Sequence, residues 1–279
     1  MKKLVVISSY VATSRVGGAI AALIGPALDI DPVLIPTTLL GRHPGLGAPG
    51  GGAVADDMFA SLIEGATANG ALKADAILTG YFASAAQVHA TAAFIDQALK
   101  ANPDIRVIVD PIMGDTARGL YVSADVANAI EQELIPRASL CTPNMWEFSR
   151  VWSNALATPL NDIRFVADLA RKSTTPLLVS SVRDDDQIGV IYSAGGDVWF
   201  AGSSCIDGQV PNGTGDVLTL AFTAMIINGM APQQALSRAV GATHALIDRA
   251  VSAGASNLPL AQAQDMFSAP AECKVRHIN

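Results

Sequence analysis

The sequence predicts an α/β fold in which a mostly parallel central sheet is flanked by helices on both faces, with an antiparallel addition in the second half. Three observations predict it. Short β-branched runs such as Leu4–Ile7, Ala76–Thr79 and Ile105–Val109 alternate with longer stretches of small and apolar residues, the pattern of strands joined by crossover helices. The runs are apolar throughout rather than alternating, as strands buried on both faces must be. Polar and acidic residues gather directly after the strands, at the sheet edge where open α/β proteins bind ligands.

Leu4–Ile7 is the first strand, and the loop behind it places Ser9, Tyr10, Thr13 and Arg15 at the ligand edge before a small-residue helix over Gly17–Leu28. Val33–Ile35 is a second short strand. Gly41, Gly45, Gly47, Gly50, Gly51 and Gly52, with Pro44 and Pro49, exclude regular structure from Gly41 to Gly52, so that segment is expected to be either a flexible lid or a surface loop. Ala76–Thr79 ends at Gly80-Tyr81 and leads into a helix over Ser84–Lys100; Ile105–Val109 ends in Asp110-Pro111-Ile112-Met113-Gly114-Asp115. Ser123 caps a helix running to Leu134, Leu140–Thr142 is a strand stopped by Pro143, and Asn144 and Glu147 open another helix.

Pro176–Ser181 is the next strand, and Asp184-Asp185-Asp186 is an exposed turn before a hairpin of Ile188–Ile191 and Val198–Ala201 around Gly195-Gly196-Asp197. Pro211-Asn212-Gly213-Thr214-Gly215-Asp216 then opens a buried apolar helix closed by Gly229. Helices over Pro232–Ala250 and Leu258–Phe267 complete the chain. No repeat or linker interrupts this series, so residues 1–279 are expected to form one domain.

Half of the 279 residues are hydrophobic and 15% are charged, so much of the chain must be buried. A net charge of -7 argues against nucleic acid or an anionic membrane as partner and leaves small soluble ligands. Cys141, Cys205 and Cys273 are scattered without disulfide or zinc spacing, which suits a reducing cytoplasm. Ser8, Ser9 and Tyr10 break the apolar start too early for a signal peptide, and no run reaches the ~18 apolar residues of a membrane helix.

The glycine turn into a helix is the most informative stretch. A helix's first turn presents unpaired N–H groups and partial positive charge, a place for phosphate oxygens. A carboxylate there would repel phosphate, so Asp216 is better explained as a base taking a proton from a hydroxyl that attacks phosphorus than as a helix cap. Asp110 with Asp115, and Asn144 with Glu147, follow other strands and would stand beside it at one sheet edge, a set that suits magnesium and a nucleoside triphosphate. Neither a Walker loop nor a dinucleotide-binding glycine turn is present.

Gly213-Thr214-Gly215-Asp216, Asp110–Asp115 and Thr142-Pro143-Asn144-Met145-Trp146-Glu147 resemble the ATP-site and magnesium-site motifs of the ribokinase superfamily, in the order seen in pyridoxal kinases. Ile7–Val11 with Val16-Gly17, the Thr37 segment and Thr79-Gly80-Tyr81 are similar to the vitamin pocket of that family. The resemblance implies a ribokinase-like fold, ATP and Mg2+ as cofactors, a monovalent cation as a further candidate, and a homodimer. It implies Asp216 as catalytic base and the N–H groups of Gly213, Thr214 and Gly215 on the transferring phosphate. Asp110 would lie near the phosphates, Asn144 and Glu147 would place magnesium, Ser180 and Ser181 would lie beside the nucleotide, and Ser9, Thr37 and Tyr81 would line the vitamer site.

Tyr10, Thr13 and Gly18 stand where the family commonly has His, an aromatic residue and Asn. The expected function is ATP-dependent phosphorylation of the 5′-hydroxymethyl group of pyridoxal, pyridoxine or pyridoxamine. Two alternatives stay open: a hydroxymethylpyrimidine kinase on the same fold, and a vitamin- or nucleotide-binding protein without turnover. His43 on the glycine-rich segment could reach a ligand, whereas His89, His244 and Trp146 read as packing or surface residues.

Overall fold

The computed structural model of the protein describes residues 1–153 and 162–279. In chain order its elements are β1 (Lys2–Val11), α1 (Gly18–Ile24), β2 (Ile30–Leu40), β3 (Gly51–Ala53), α2 (Asp56–Ala68), β4 (Ala76–Thr79), α3 (Ala85–Ala101) and β5 (Arg106–Val109). The small hairpin β6 (Gly114–Asp115) and β7 (Gly119–Leu120) follows, then α4 (Ala124–Ala129), β8 (Leu140–Cys141), α5 (Met145–Phe148) and α6 (Ile163–Arg171). The remainder is β9 (Leu177–Asp184), β10 (Gln187–Ala194), β11 (Asp197–Ser204), α7 (Thr214–Ile227), α8 (Pro232–Ser252), α9 (Asp265–Ser268) and β12 (Val275–His277).

One ten-stranded sheet runs in the order β12-β11-β10-β9-β8-β5-β4-β1-β2-β3. The strands from β9 through β2 are parallel, while β10, β11 and β12 add antiparallel strands at one edge and β3 adds one at the other. Period-two alternation sends Val5, Ile7, Ile77, Val107 and Val109 into a core shared with α2, α3, α4 and α6. Leu4, Val6, Leu78 and Ile108 enter the opposite core with α1, α7 and α8. Burial on both faces is why the central strands read as unbroken apolar runs.

Several elements differ from the sequence reading. β1 and β2 are longer than expected, because Ser8 still pairs with Pro36 and, past an irregularity at Ser9, Tyr10 and Val11 pair with Leu39 and Leu40, while Pro32 and Pro36 are carried in β2. The prolines are tolerated there since β3 joins β2 only at Thr38, Leu39 and Leu40, leaving the missing N–H groups on an open edge. The glycine-rich segment is partly regular after all: Pro44–Leu46 is a 3-10 turn, and Gly51-Gly52 belong to β3. Helix α2 was not foreseen, as only Phe59 and Ile63 of it are buried and Gly65 and Thr67 weaken its pattern. Helix α6 was missed despite a clear signal, with Ile163, Val166, Ala167 and Ala170 buried on one face and Asp162 capping its start. The helix expected over Gly17–Leu28 breaks at Gly25-Pro26, and Leu258–Phe267 resolves into a 3-10 turn and the short α9. Among the described residues no helix is long and apolar enough to cross a membrane.

Candidate active site

The C-terminal ends of β1, β4, β5 and β8, the β9 residues Leu178 and Ser180 and the start of α7 converge on one cavity of about 340 Å3, within the usual range of small-molecule sites. Gly213 supplies the turn into α7 with φ 95 and stands at the N-cap with no side-chain cap. A Cβ there would lie 2.3 Å from the Arg15 carbonyl oxygen, so only glycine lets the two backbones meet. The first turn of α7 is therefore left without a side-chain acceptor and faces the cavity, as Gly213, Gly215 and Asp216 in its wall show.

Asp216 lies in that first turn. Burial pushes its carboxyl up to about 6, against the pull of the Gly17 N–H. Gly17 in turn presses on Ser9, since a Cβ on Gly17 would meet the Ser9 carbonyl oxygen and Oγ at 2.5 Å. Ser9, Gly17 and Asp216 thus form one wall. Asp110, just past β5, is buried, and its carboxyl is held well above the usual range by burial and by the charges of Glu147 and Asp216. Thr219, one turn after Asp216, sets its hydroxyl 3.3 Å from Asp110 Oδ2 and 3.0 Å from Thr142 Oγ1, tying β5, β8 and α7 together.

Asn144 and Glu147 form a reciprocal cap on α5. Asn144 Oδ1 accepts from the Trp146 N–H at 2.9 Å and the Glu147 N–H at 3.0 Å, while Asn144 Nδ2 donates to the Gly114 carbonyl at 2.8 Å. Glu147 Oε2 accepts from the Asn144 N–H at 2.9 Å, and its Oε1 accepts from the N–H groups of Met113 at 2.9 Å and Gly114 at 3.5 Å. Both carboxylate oxygens are thus engaged by backbone. Burial lifts this carboxyl to about 8 although those N–H groups pull it down. Trp146 packs on Gly114, where a Cβ would meet its ring at 2.4 Å, as expected for a packing residue.

A second cavity of about 540 Å3 adjoins the first through the shared residues Asn144, Ser180, Gly215 and Leu218. Ser181, at φ 62, and Thr214 line only this second cavity, together with Val240, Thr243 and His244. Of the residues singled out in the sequence, Ser9, Tyr81, Asp110, Asn144, Glu147, Ser180, Gly213, Gly215 and Asp216 line the first cavity.

Thr37 is fully buried outside the cavity wall, and its hydroxyl donates to the Tyr81 carbonyl at 2.7 Å. The alternation of β2 turns it beneath Tyr81, whose backbone it holds. Tyr10 and Thr13 also lie off the first cavity. Tyr10 borders an outer cleft with Leu39, and the Thr13 hydroxyl donates to the Gly41 carbonyl at 2.7 Å. His43 does reach the first cavity, whereas His89 pairs with Glu133 at 2.6 Å on the surface. Sequence reasoning passed over Thr219, Arg118 and Tyr121. Thr219 carried a usable signal, three residues after Asp216 on the same helical face; the other two arrive on the β6-β7 hairpin and its exit.

A family model described as phosphomethylpyrimidine kinase matches residues 54–261. The pyridoxal kinase PdxY of Deinococcus radiodurans is 30% identical over 275 residues, covering 95% of this chain and 92% of that protein. A pyridoxine/pyridoxal/pyridoxamine kinase of Bordetella avium is 29% identical over 235 residues, covering 82% and 79%. Among solved structures, the pyridoxal kinase of Entamoeba histolytica superposes with a TM-score of 0.89 at 24% identity over 100% of both chains. The pyridoxal kinase of Leishmania donovani in complex with ADP and pyridoxine does so with a TM-score of 0.89 at 24% identity over 99% of both. The architecture is accordingly ribokinase-like, as those structures share it along their whole length.

Proposed function

Because the chain belongs to the pyridoxal kinases, within the family of phosphomethylpyrimidine kinases, we propose that it transfers the γ-phosphate of ATP to the 5′-hydroxymethyl group of pyridoxal, pyridoxine or pyridoxamine. The observation that carries this reading is the uncapped α7 N-terminus with Asp216 in its first turn, standing where the two cavities meet. The larger cavity would take the nucleoside, with Ser180, Ser181 and Thr214 beside it. The smaller would take the vitamer, with the flat ring against Tyr81 and Ser9 offering a hydroxyl.

In the step itself the vitamer oxygen forms a bond to phosphorus and its proton passes to Asp216, while the bond from phosphorus to the β–γ bridging oxygen breaks and ADP leaves with that electron pair. The N–H groups of Gly213, Thr214 and Gly215 would meet the phosphoryl oxygens, and burial that lifts the Asp216 carboxyl to about 6 makes it a stronger base than an exposed aspartate while leaving it ionised at neutral pH.

A divalent cation fits the donor set. Asp110, Asp115, Glu147 and Asp216 bring four carboxylates to the first cavity, where burial raises the carboxyls of Asp110, Glu147 and Asp216, helped at Asp110 by the charges of the other two. Hard oxygen donors suit Mg2+, which would neutralise phosphate charge when bound. Asp110 would hold it, and Glu147, with both oxygens on backbone N–H groups, would act from behind by fixing Met113, Gly114 and Asn144. Among the described residues no group of three His, Cys, Asp or Glu side chains is arranged as a cage, which agrees with a cation completed by substrate phosphates and water.

The 41–52 segment, from which His43 and Pro44 reach the first cavity, would act as a lid that excludes water. We read residues 1–279 as one domain, supported by the single large sheet spanning β3 to β12. A cytoplasmic enzyme is supported by three free cysteines, and a homodimer by exposed Tyr10 and Leu39 at the outer ends of β1 and β2. The family description favours one second reading, a kinase for hydroxymethylpyrimidine. ATP consumption with each vitamer and with hydroxymethylpyrimidine decides between them. We expect use of all three vitamers with a weaker rate on the pyrimidine; a strong preference for the pyrimidine would promote the second reading, and no turnover with any acceptor would leave a binding protein.

A further inference from the structure

We propose that Arg118 supplies the positive side chain that grips the phosphoryl group during transfer, an assignment that rests on the kinase reading above and adds a catalytic residue to it. The charge around the first cavity makes the need plain. Four carboxylates line it, and among the described lining residues Arg118 is the one permanent cation. His43 beside it is held toward its neutral form by burial and by the Arg118 charge. A transferring phosphoryl group with bound triphosphate is strongly anionic, and a helix N-terminus contributes only partial charges.

The backbone under Arg118 is fixed for a task. It lies in the turn between β6 and β7, where Asp115 Oδ1 accepts the N–H of Ala117 at 2.9 Å and the N–H of Arg118 itself at 2.8 Å. Gly119 at φ 68 then returns the chain into β7. Asp115 spends that oxygen on the turn and forms no ion pair with the guanidinium. Among the described residues the Arg118 guanidinium has no hydrogen-bond or ion-pair partner at all. Its neighbour in the covering segment behaves differently, since Arg42 donates from Nε to the Ala48 carbonyl at 2.8 Å.

Room has been left for the unpaired guanidinium. A Cβ on Gly45 would come within 2.9 Å of Arg118 Nη2, so the glycine at position 45 lets the side chain lie across the glycine-rich segment at the cavity mouth. A surface arginine serving only solubility would need no such space. A guanidinium presents paired N–H donors to two phosphate oxygens, which a lysine cannot match. The bonds made and broken in transfer are those given above; Arg118 forms none of them and stabilises the charge on the phosphoryl oxygens opposite the α7 N–H groups.

The test uses the full-length protein with Arg118→Ala and Arg118→Lys, each checked for an unchanged melting temperature. Arg118→Ala is expected to lower kcat by about 10²–10³-fold, with KM for pyridoxal and the affinity for ADP each within about threefold of the parent by the same reasoning. Arg118→Lys should fall between, and added guanidinium ion should restore part of the Arg118→Ala rate. Affinity for ADP with aluminium fluoride and pyridoxal, which imitates the phosphoryl group in flight, should fall about as far as kcat does. An Arg118→Ala protein with kcat within about threefold of the parent overturns the assignment. So does a loss confined to KM, which would place Arg118 on the vitamer. A parent protein that consumes no ATP with any acceptor refutes the kinase reading instead, and a variant series is then not needed to separate the two failures.

Discussion

Replacing Asp216 with Asn should abolish most turnover and yet make the protein more stable at alkaline pH. The Asp216 carboxyl rises from an ordinary value of 3.8 to about 6, mainly through burial. A group raised in this way carries no penalty below pH 3.8, where folded and unfolded chains both hold the proton; stability is then lost as pH climbs through about 6. A shift of about two units corresponds to roughly 3 kcal/mol as a ceiling, and because Asp216 is partly open to the cavity, solvent screening reduces this to about 1–2 kcal/mol. Loss of a carboxylate from the first turn of α7 costs about 0.3–1 kcal/mol in the other direction. The net expectation for Asp216→Asn is therefore a gain of about 1 kcal/mol at pH 8, or roughly 2–4 °C in melting temperature, and no gain near pH 4. Turnover should fall by about 10²–10⁴-fold while ATP still binds. In the parent, kcat/KM should rise with pH through about 6 as the base ionises. Urea unfolding at both pH values and an ATP-consumption assay read all of this. Near-normal turnover, or an equal loss of stability at pH 4 and pH 8, would refute the reasoning and return Asp216 to a capping role.

Two further substitutions probe the walls of the site. Glu147→Gln turns an amide NH2 toward a backbone N–H of Asn144 or Met113, leaving a buried donor unpaired at a cost of about 1–3 kcal/mol. Unfolding curves should show that loss, and the magnesium concentration for half-maximal rate should rise more than KM for the vitamer; unchanged magnesium dependence would detach Glu147 from the metal. Gly213→Ala puts a methyl group against the Arg15 carbonyl at a φ of 95, so the turn must move, with strain of about 1–3 kcal/mol. Calorimetric binding of ATP should weaken about tenfold or more as the first-turn N–H groups of α7 are displaced, and full affinity with an unchanged melt would show that the α7 turn does not hold phosphate.

Much of this architecture can be read one stretch at a time because its causes are local. Ser84 caps α3 by accepting from the Gln87 N–H at 3.2 Å, and Asn144 with Glu147 closes a reciprocal cap within four residues. Gly195 and Gly196, at φ 61 and 91, make the two-residue turn that aligns β10 with β11. Gly213–Asp216 announces a helix start with a base in it, and the unbroken apolar strands announce a sheet covered twice. Each of these depends on a residue and its neighbours within about a turn.

What the tertiary structure alone decided lies where distant segments meet. Thr37 has the polarity of a ligand contact, but the side of β2 on which it falls, and the Tyr81 carbonyl it finds there, are set by pairing across the sheet. Thr219 becomes a partner of Asp110 only when α7 docks over β5, 109 positions away in the chain. Arg118 reads as an ordinary turn residue until the β6-β7 hairpin brings it across Gly45 to the cavity mouth. Charge shows the division most clearly. Asp110 and Glu147 taken alone are ordinary acidic residues, and their raised carboxyls come from burial and from neighbouring carboxylates. Desolvation and Coulomb interaction depend on distances through space, and no local pattern of residues encodes them.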